Sequence, residues 1–281
     1  MSEMMNTGKA GTADSLKTMT EKEYRSHPGV NFSTLKLMQK SPMHYFWALD
    51  NPGEDTPALK MGRAVHVAVL QQPMFDRTYA VMPEGIDRRT KEGKAAWAEF
   101  AESVGDRETL TVEEFDECMR IRSSIRWSTK WDFREWMTET PLFWNDPRTG
   151  IECKCRVDAM REEEDKFLIV DLKTTTDADL KSFTRSALSY GYHMQAAHYI
   201  TGVMENGLNH GKPVEWIFLA VEKKPPYAVN VIKAMPDFVN EGRLALDELM
   251  DELEVCRRLD QWPGYGTCEM SLPGWMKRNE E

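Results

Sequence analysis

The feature that most narrows what this chain can become is a pair of short runs, residues 151–160 and 167–173, separated by the charged turn 161–165. Successive side chains on a strand point to opposite faces. In the first run Ile151, Cys153, Cys155 and Val157 therefore share an apolar face. Glu152, Lys154, Arg156 and Asp158 share a polar face opposite the core. In the second run Leu168, Val170 and Leu172 form one aliphatic face, while Phe167, Ile169, Asp171 and Lys173 form the other. So short a turn makes the two strands an antiparallel hairpin. Asp158 and Asp171 then lie near each other at the end away from the turn, and Lys173 points the same way as Asp171.

Two carboxylates and an ammonium gathered at strand ends are costly unless something compensates their charge. A divalent cation does so, and oxygen ligands suit Mg²⁺, with Mn²⁺ as a substitute. Such an ion lowers the pKa of a water and takes phosphate oxygens. Lys173 would orient the attacking water or offset developing negative charge. The plainer reading of the same residues is a surface strand with an Asp171–Lys173 salt bridge. The hairpin alone leaves both readings open.

The rest of the chain supplies helices and further strands. Residues 1–26 are polar and read as a loose arm, with order beginning near His27-Pro28-Gly29. Ser33 is a candidate N-cap for a helix through Leu35, Leu37 and Met38, and Ser41 caps a second helix with Pro42 at its first position. Helical patterns cover 57–70, 95–104, 112–124, 178–190 and 192–204, the last two broken near Gly191, and a long helix over 237–259 closes the chain. Strands are expected over 142–144, 215–221 and 227–233, and residues 261–281 form an irregular tail. Helices on both faces of a central mixed β-sheet make an α/β core, a single domain over 27–260.

The formal net charge is −10. That is not the balance of a protein holding nucleic acid by bulk charge. It does not exclude an enzyme acting on nucleic acid, since a bound cation reverses the local field. No apolar run approaches the roughly 20 residues needed to span a bilayer, and the N-terminus has no apolar secretory stretch, so a cytoplasmic protein is expected. The five cysteines, an odd count, argue against a disulfide framework, and Cys153 and Cys155 read as buried core residues rather than a metal pair.

Two helical patterns add polar groups. Gly62 and His66 stand four apart on one face of the 57–70 helix. The glycine would let that helix approach a sheet closely, and the imidazole one turn on could reach a metal. The bland alternative is a packed core histidine. Gln195 and Tyr199 are likewise four apart, and an amide and a phenol on one face can hydrogen-bond a phosphate. An ordinary amphipathic helix is the alternative there.

Taken in order, Gly62 to His66, the aspartate of Arg156-Val157-Asp158, then Asp171-Leu172-Lys173, then Gln195 with Tyr199, the residues resemble the PD-(D/E)xK nuclease superfamily, in its RecB-like branch. A closer resemblance, over roughly His27 to Lys233, is to the nuclease domain of exonuclease VIII (RecE-like) and related phage recombination exonucleases. Its carriers are His27-Pro28-Gly29-Val30, Ser41-Pro42-Met43-His44-Tyr45, Gly62 to His66, Asp171-Leu172-Lys173-Thr174-Thr175 and the run Gly191 to Tyr199.

The resemblance implies a restriction-endonuclease-like core. It implies a metal held by His66, Asp158, Asp171 and the carbonyl of Leu172, with Lys173 assisting the attacking water. Asp171 stands where the superfamily often has Glu, which shortens the ligand but keeps the carboxylate. Glu139, just upstream of the 142–144 strand, could add an outer carboxylate. The iron–sulfur variant of the RecB-like branch is not expected, because no cysteine precedes Gly62. The expectation that follows is a Mg²⁺-dependent exonuclease on linear double-stranded DNA, working 5′ to 3′ and leaving 3′ single-stranded tails for a strand-annealing recombination protein. A cyclic homo-oligomer, trimer or tetramer, is expected by the same likeness. A structure-specific endonuclease of the same fold, or a catalytically silent binding module, is the alternative.

Overall fold

A computed structural model of the chain describes residues 19–86 and 89–271. Its helices in chain order are α1 (Glu21–Ser26), α2 (Phe32–Leu35), α3 (Pro42–Asp50), α4 (Pro57–Leu70), α5 (Phe75–Thr78), α6 (Lys91–Val104), α7 (Val112–Thr129), α8 (Leu180–Ser189), α9 (Tyr192–Glu205) and α10 (Pro236–Leu259). Strands β1 (Tyr79–Val81) and β2 (Glu108–Leu110) form a small parallel pair. The main sheet takes β3 (Met137–Asn145), β4 (Glu152–Glu162), β5 (Phe167–Thr175), β6 (Val214–Glu222) and β7 (Val229–Lys233) in the order β3-β4-β5-β6-β7. Only β5 and β6 run parallel, linked through α8 and α9, so the sheet is mixed. Helices cover both faces, which is the expected α/β core.

The expected hairpin is β4–β5. Its register pairs Glu162 with Phe167 and Ala159 with Val170. The alternation along β5 holds. Phe167 and Ile169 pack into one core with Met194, Trp216 and Leu253. Leu168, Val170 and Leu172 pack into a second core with Val65, Ile121 and Leu219. Burying a large apolar side chain contributes about 1.5–3 kcal/mol. Two such layers therefore hold β5 from both sides, and its end is a rigid place to mount chemistry.

Three expectations need correction. The polar face of β4 does not look outward, because Lys154 is 4% exposed beneath α1. Order does not begin at His27: Glu21–Ser26 form a helix whose N-cap Thr20 exchanges hydrogen bonds with Glu23 in a capping box. Residues 1–18 of the expected arm lie outside the described residues. The cap of α2 is Asn31, not Ser33: its Oδ1 accepts from the Thr34 amide at 2.9 Å and from the Ser33 hydroxyl at 2.5 Å. No residue of α1 is fully buried, and it holds to the sheet through polar contacts together with half-buried Tyr24, whose ring lies 6.2 Å from that of Phe143 on β3.

Candidate active site

The site forms where two strands part. β4 and β5 stop pairing after Ala159–Val170, and Asp158 fills the break. Its Oδ2 accepts the Leu172 N–H at 2.8 Å, replacing a ladder bond with a side-chain one. The gap further along is filled by Val30, whose backbone bonds Glu152 and Lys154 on β4 at 2.8 Å each. The face alternation of β4 also slips here, since Val157 packs in the first core and Ala159 in the second.

On the other side of β4 the ladder to β3 is interrupted between the pairs Thr138–Ala159 and Thr140–Val157. Glu139 stands in that interruption with φ +46°. A non-glycine residue in the left-handed region costs about 1–3 kcal/mol and persists only where surroundings hold it. Here the strain turns the Glu139 carboxylate to His66, with Oε1 3.4 Å from Nδ1. Asp158 Oδ2 is 3.8 Å from the same nitrogen. The opposite ring nitrogen, Nε2, donates to the Leu172 carbonyl at 3.1 Å. With acceptors at both nitrogens the ring is held as imidazolium. Burial favours the neutral form, but Asp158 and Glu139 outweigh it and lift the pKa to about 9.

Asp171 is 2% exposed. Gln195 Nε2 donates to its Oδ1 at 3.0 Å, and Lys173 Nζ lies 2.7 Å from Oδ2. Oδ2 is fully buried, and among the described residues the Lys173 ammonium is its one close partner. Burial pushes the Asp171 pKa up to about 6 even though Lys173 draws it down. Burial raises Asp158 as well, with Glu139 adding to the effect against His66 and Lys173. Lys173 is raised, because the pull of Asp171 and Asp158 overcomes its own burial. Its ammonium sits 4.5 Å from the ring centroid of Tyr192, a cation–π contact that gives the lysine a second hold beside Asp171.

These residues fit a divalent cation. His66, Glu139 and Asp158 place ligand atoms within 4.8 Å of one another. The Leu172 carbonyl faces the same ring, and the buried Oδ2 of Asp171 has hydrogen-bonding capacity to spare. Carboxylate and carbonyl oxygens with one imidazole suit Mg²⁺ or Mn²⁺.

The structure thus brings together Asp158, Asp171, Lys173, His66, Gln195 and the Leu172 carbonyl. Glu139, the candidate outer carboxylate, stands in the tight group with His66 and Asp158, and Asp171 stands outside it, drawn toward Lys173 and Gln195. Tyr199 packs edge-on to Trp216 and lines the neighbouring cleft with Gln195. Gly62 does not serve the packing role expected of it, because a Cβ there would meet nothing within 4 Å. Cys153 and Cys155 are buried in the first core. Tyr192 was not singled out, although its position three residues before Gln195 puts both on one helical face. Gly191 before it holds φ +73°, and a Cβ would strike Met194 at 2.7 Å, so the turn that aims Tyr192 requires glycine.

Residues 31–272 match the sequence profile of a family described as a PDDEXK-like domain of unknown function (DUF3799). The chain belongs to this family. The PDDEXK-like domain also resembles a solved structure, a candidate exonuclease from Eubacterium rectale, at 16% identity and a TM-score of 0.59, covering 89% of this chain and 91% of that one. At that identity the likeness shows the fold. A second solved structure, of SSO0001, shares 15% identity over 68% of this chain and 86% of its own, with a TM-score of 0.30. No curated protein matches the sequence. The matched range includes Asp171, Leu172 and Lys173, at the parting of β4 and β5. Among the described residues no helix is long and apolar enough to cross a membrane.

Proposed function

We propose that this PDDEXK-like protein is a Mg²⁺-dependent nuclease that hydrolyses phosphodiester bonds of linear double-stranded DNA as an exonuclease. The observation that carries the reading is the group His66, Glu139 and Asp158 beside the buried Asp171–Lys173 pair. A merely structural salt bridge needs neither the strained Glu139 nor a second carboxylate and an imidazole beside it. A bound divalent cation would supply Lewis-acid charge to the scissile phosphate and lower the pKa of the attacking water.

The protein's residues do the rest. Asp158, Glu139 and His66 would hold the ion, with the Leu172 carbonyl and Asp171 completing its oxygen donors. Gln195 keeps Asp171 from rotating, and Tyr192 and Asp171 together aim the Lys173 ammonium. Lys173 orients the attacking water and offsets charge that grows on the phosphate oxygens. The open space over Gly62, on the His66 face of α4, leaves room for substrate above the group. The description of the Eubacterium rectale protein is of the same class of activity.

The resemblance to phage recombination exonucleases supports the finer terms: 5′-to-3′ direction, 3′ single-stranded tails, and a single-strand annealing protein as partner. End-labelled linear duplex digested with Mg²⁺ but not with EDTA is the expected result. Equal digestion of closed circular DNA would replace the exonuclease by an endonuclease of the same fold, and no metal-dependent turnover on any DNA would sink the proposal.

A further inference from the structure

A cleft of about 460 Å³ opens beside the site. Tyr192 and Gln195, which touch Lys173 and Asp171, form part of its wall, and Lys36, Lys154 and Arg156 give it a basic lining. α1 closes one side. Glu21 of α1 pairs with the Arg156 guanidinium, and the Arg156 side chain lies 4.4 Å from the Tyr24 ring. Lys154 Nζ donates to the carbonyls of Tyr24 at 3.0 Å and Arg25 at 3.2 Å, and to that of His27. Three features make this arrangement unlike ordinary packing. α1 buries no residue fully. It lies outside the residues that match the family profile, which begin at 31. Arg156 Nε is buried without a hydrogen-bond partner, so the guanidinium is only partly satisfied by Glu21.

We propose that Arg156 and Lys154 form a binding subsite for the phosphates of the substrate strand, and that α1 is a displaceable strap whose Glu21 carboxylate occupies that subsite in place of phosphate. A carboxylate and a phosphate present comparable acceptor oxygens to a guanidinium. Arg156 precedes Asp158 by two residues, roughly 6–7 Å along the strand, so one strand of nucleic acid reaches both. When α1 leaves, Glu21 departs with its helix partner Arg25, so Arg156 loses its carboxylate, and the Lys154 ammonium exchanges backbone carbonyls for phosphate oxygens. The net-acidic chain thereby gains a local cationic track only where a polyanion competes for it. This reading rests on the proposed nuclease function for the identity of the ligand, but its test does not depend on cleavage.

The test uses the full chain in EDTA with sodium tripolyphosphate as probe. Binding is followed by calorimetry, and the mobility of residues 20–27 by amide hydrogen exchange. Tripolyphosphate should speed exchange in 20–27. Glu21→Gln should bind the probe roughly five-fold more tightly, the scale of one competing ion pair removed, with an unchanged melting temperature. Arg156→Gln should lose most of the binding. Equal affinity in Glu21→Gln and wild type, exchange in 20–27 that slows or stays constant on binding, or binding that survives Arg156→Gln, each overturns the proposal. A chain that passes here yet cuts no DNA would refute the nuclease reading alone.

Discussion

Lys173 is held by the Asp171 carboxylate and by the Tyr192 ring, so its removal should separate chemistry from binding. Lys173→Ala is expected to keep metal and DNA binding while losing about 10²–10⁴-fold in cleavage rate, the range for one catalytic group. Single-turnover cleavage beside an anisotropy measurement of binding checks this, and near wild-type cleavage rejects the role. His66 permits a test that does not require substrate. Its pKa of about 9 means that it carries a proton at neutral pH. A ligand imidazole must be neutral, so metal binding at pH 7 should release about one proton, read from calorimetry in buffers of different ionisation enthalpy. In His66→Ala that release should vanish and half-saturation should move to higher metal concentration. Acid acts in the same direction on Asp171: below about pH 6 it keeps its proton, and the thermal stabilisation conferred by metal should fade. A histidine that merely packs would change melting without any proton linkage.

At the scale of elements, what the sequence disclosed was what local chemistry determines. Ser41 with Pro42 is a start signal written in adjacent residues, and α3 begins there. The alternation of β5 and the break at Gly191 were legible for the same reason. What stayed hidden depends on partners far along the chain. The burial of Lys154 comes from α1, about 130 residues away, and the place of Glu139 comes from a left-handed φ that no neighbouring residue announces. Asn31 and Ser33 are both competent caps, and only the folded turn chooses between them. β1 and β2, three residues each, are too short to show a period.

Two element-level predictions follow from packing. Gly62→Leu places a side chain in open space above the His66 face. It should lower DNA affinity with little loss of thermal stability; a large drop in melting temperature would instead restore the close-packing role. His198 joins α9 to β4 through the Lys154 carbonyl at 3.2 Å, and burial depresses its pKa to about 4. The unfolded chain therefore binds a proton there between about pH 6.5 and pH 4 that the folded chain does not. Stability should fall as pH drops through that window, by up to about 3 kcal/mol. In His198→Gln the fall should be shallower; identical denaturation profiles against pH would show that the ring stays neutral for another reason.

For the whole molecule the difficulty is charge. To act as proposed, a chain with net charge −10 would have to hold a polyanion, and affinity for duplex comes largely from phosphate neutralisation. The cations at the site are already engaged, Lys173 with Asp171 and Arg156 with Glu21. The sequence carries two further modest basic clusters, at 88–91 and at Lys223-Lys224; Arg88 of the first lies outside the described residues. The other, at Lys223 and Lys224, includes a lysine side chain that is 81% exposed though 3.3 Å from Glu117. One such cluster on one subunit is a weak grip. Repeated around a closed ring it becomes a channel with its acids turned outward, and head-to-tail contacts close into rings when the rotation permits. The prediction is a cyclic trimer or tetramer threaded by the duplex it degrades. Sedimentation at micromolar concentration should give three or four times the monomer mass. Lys223→Glu with Lys224→Glu should then cut processivity on long duplex more than it cuts hydrolysis of a short oligonucleotide, because a channel acts through length. A monomer that still digests long duplex processively would leave the ring without support.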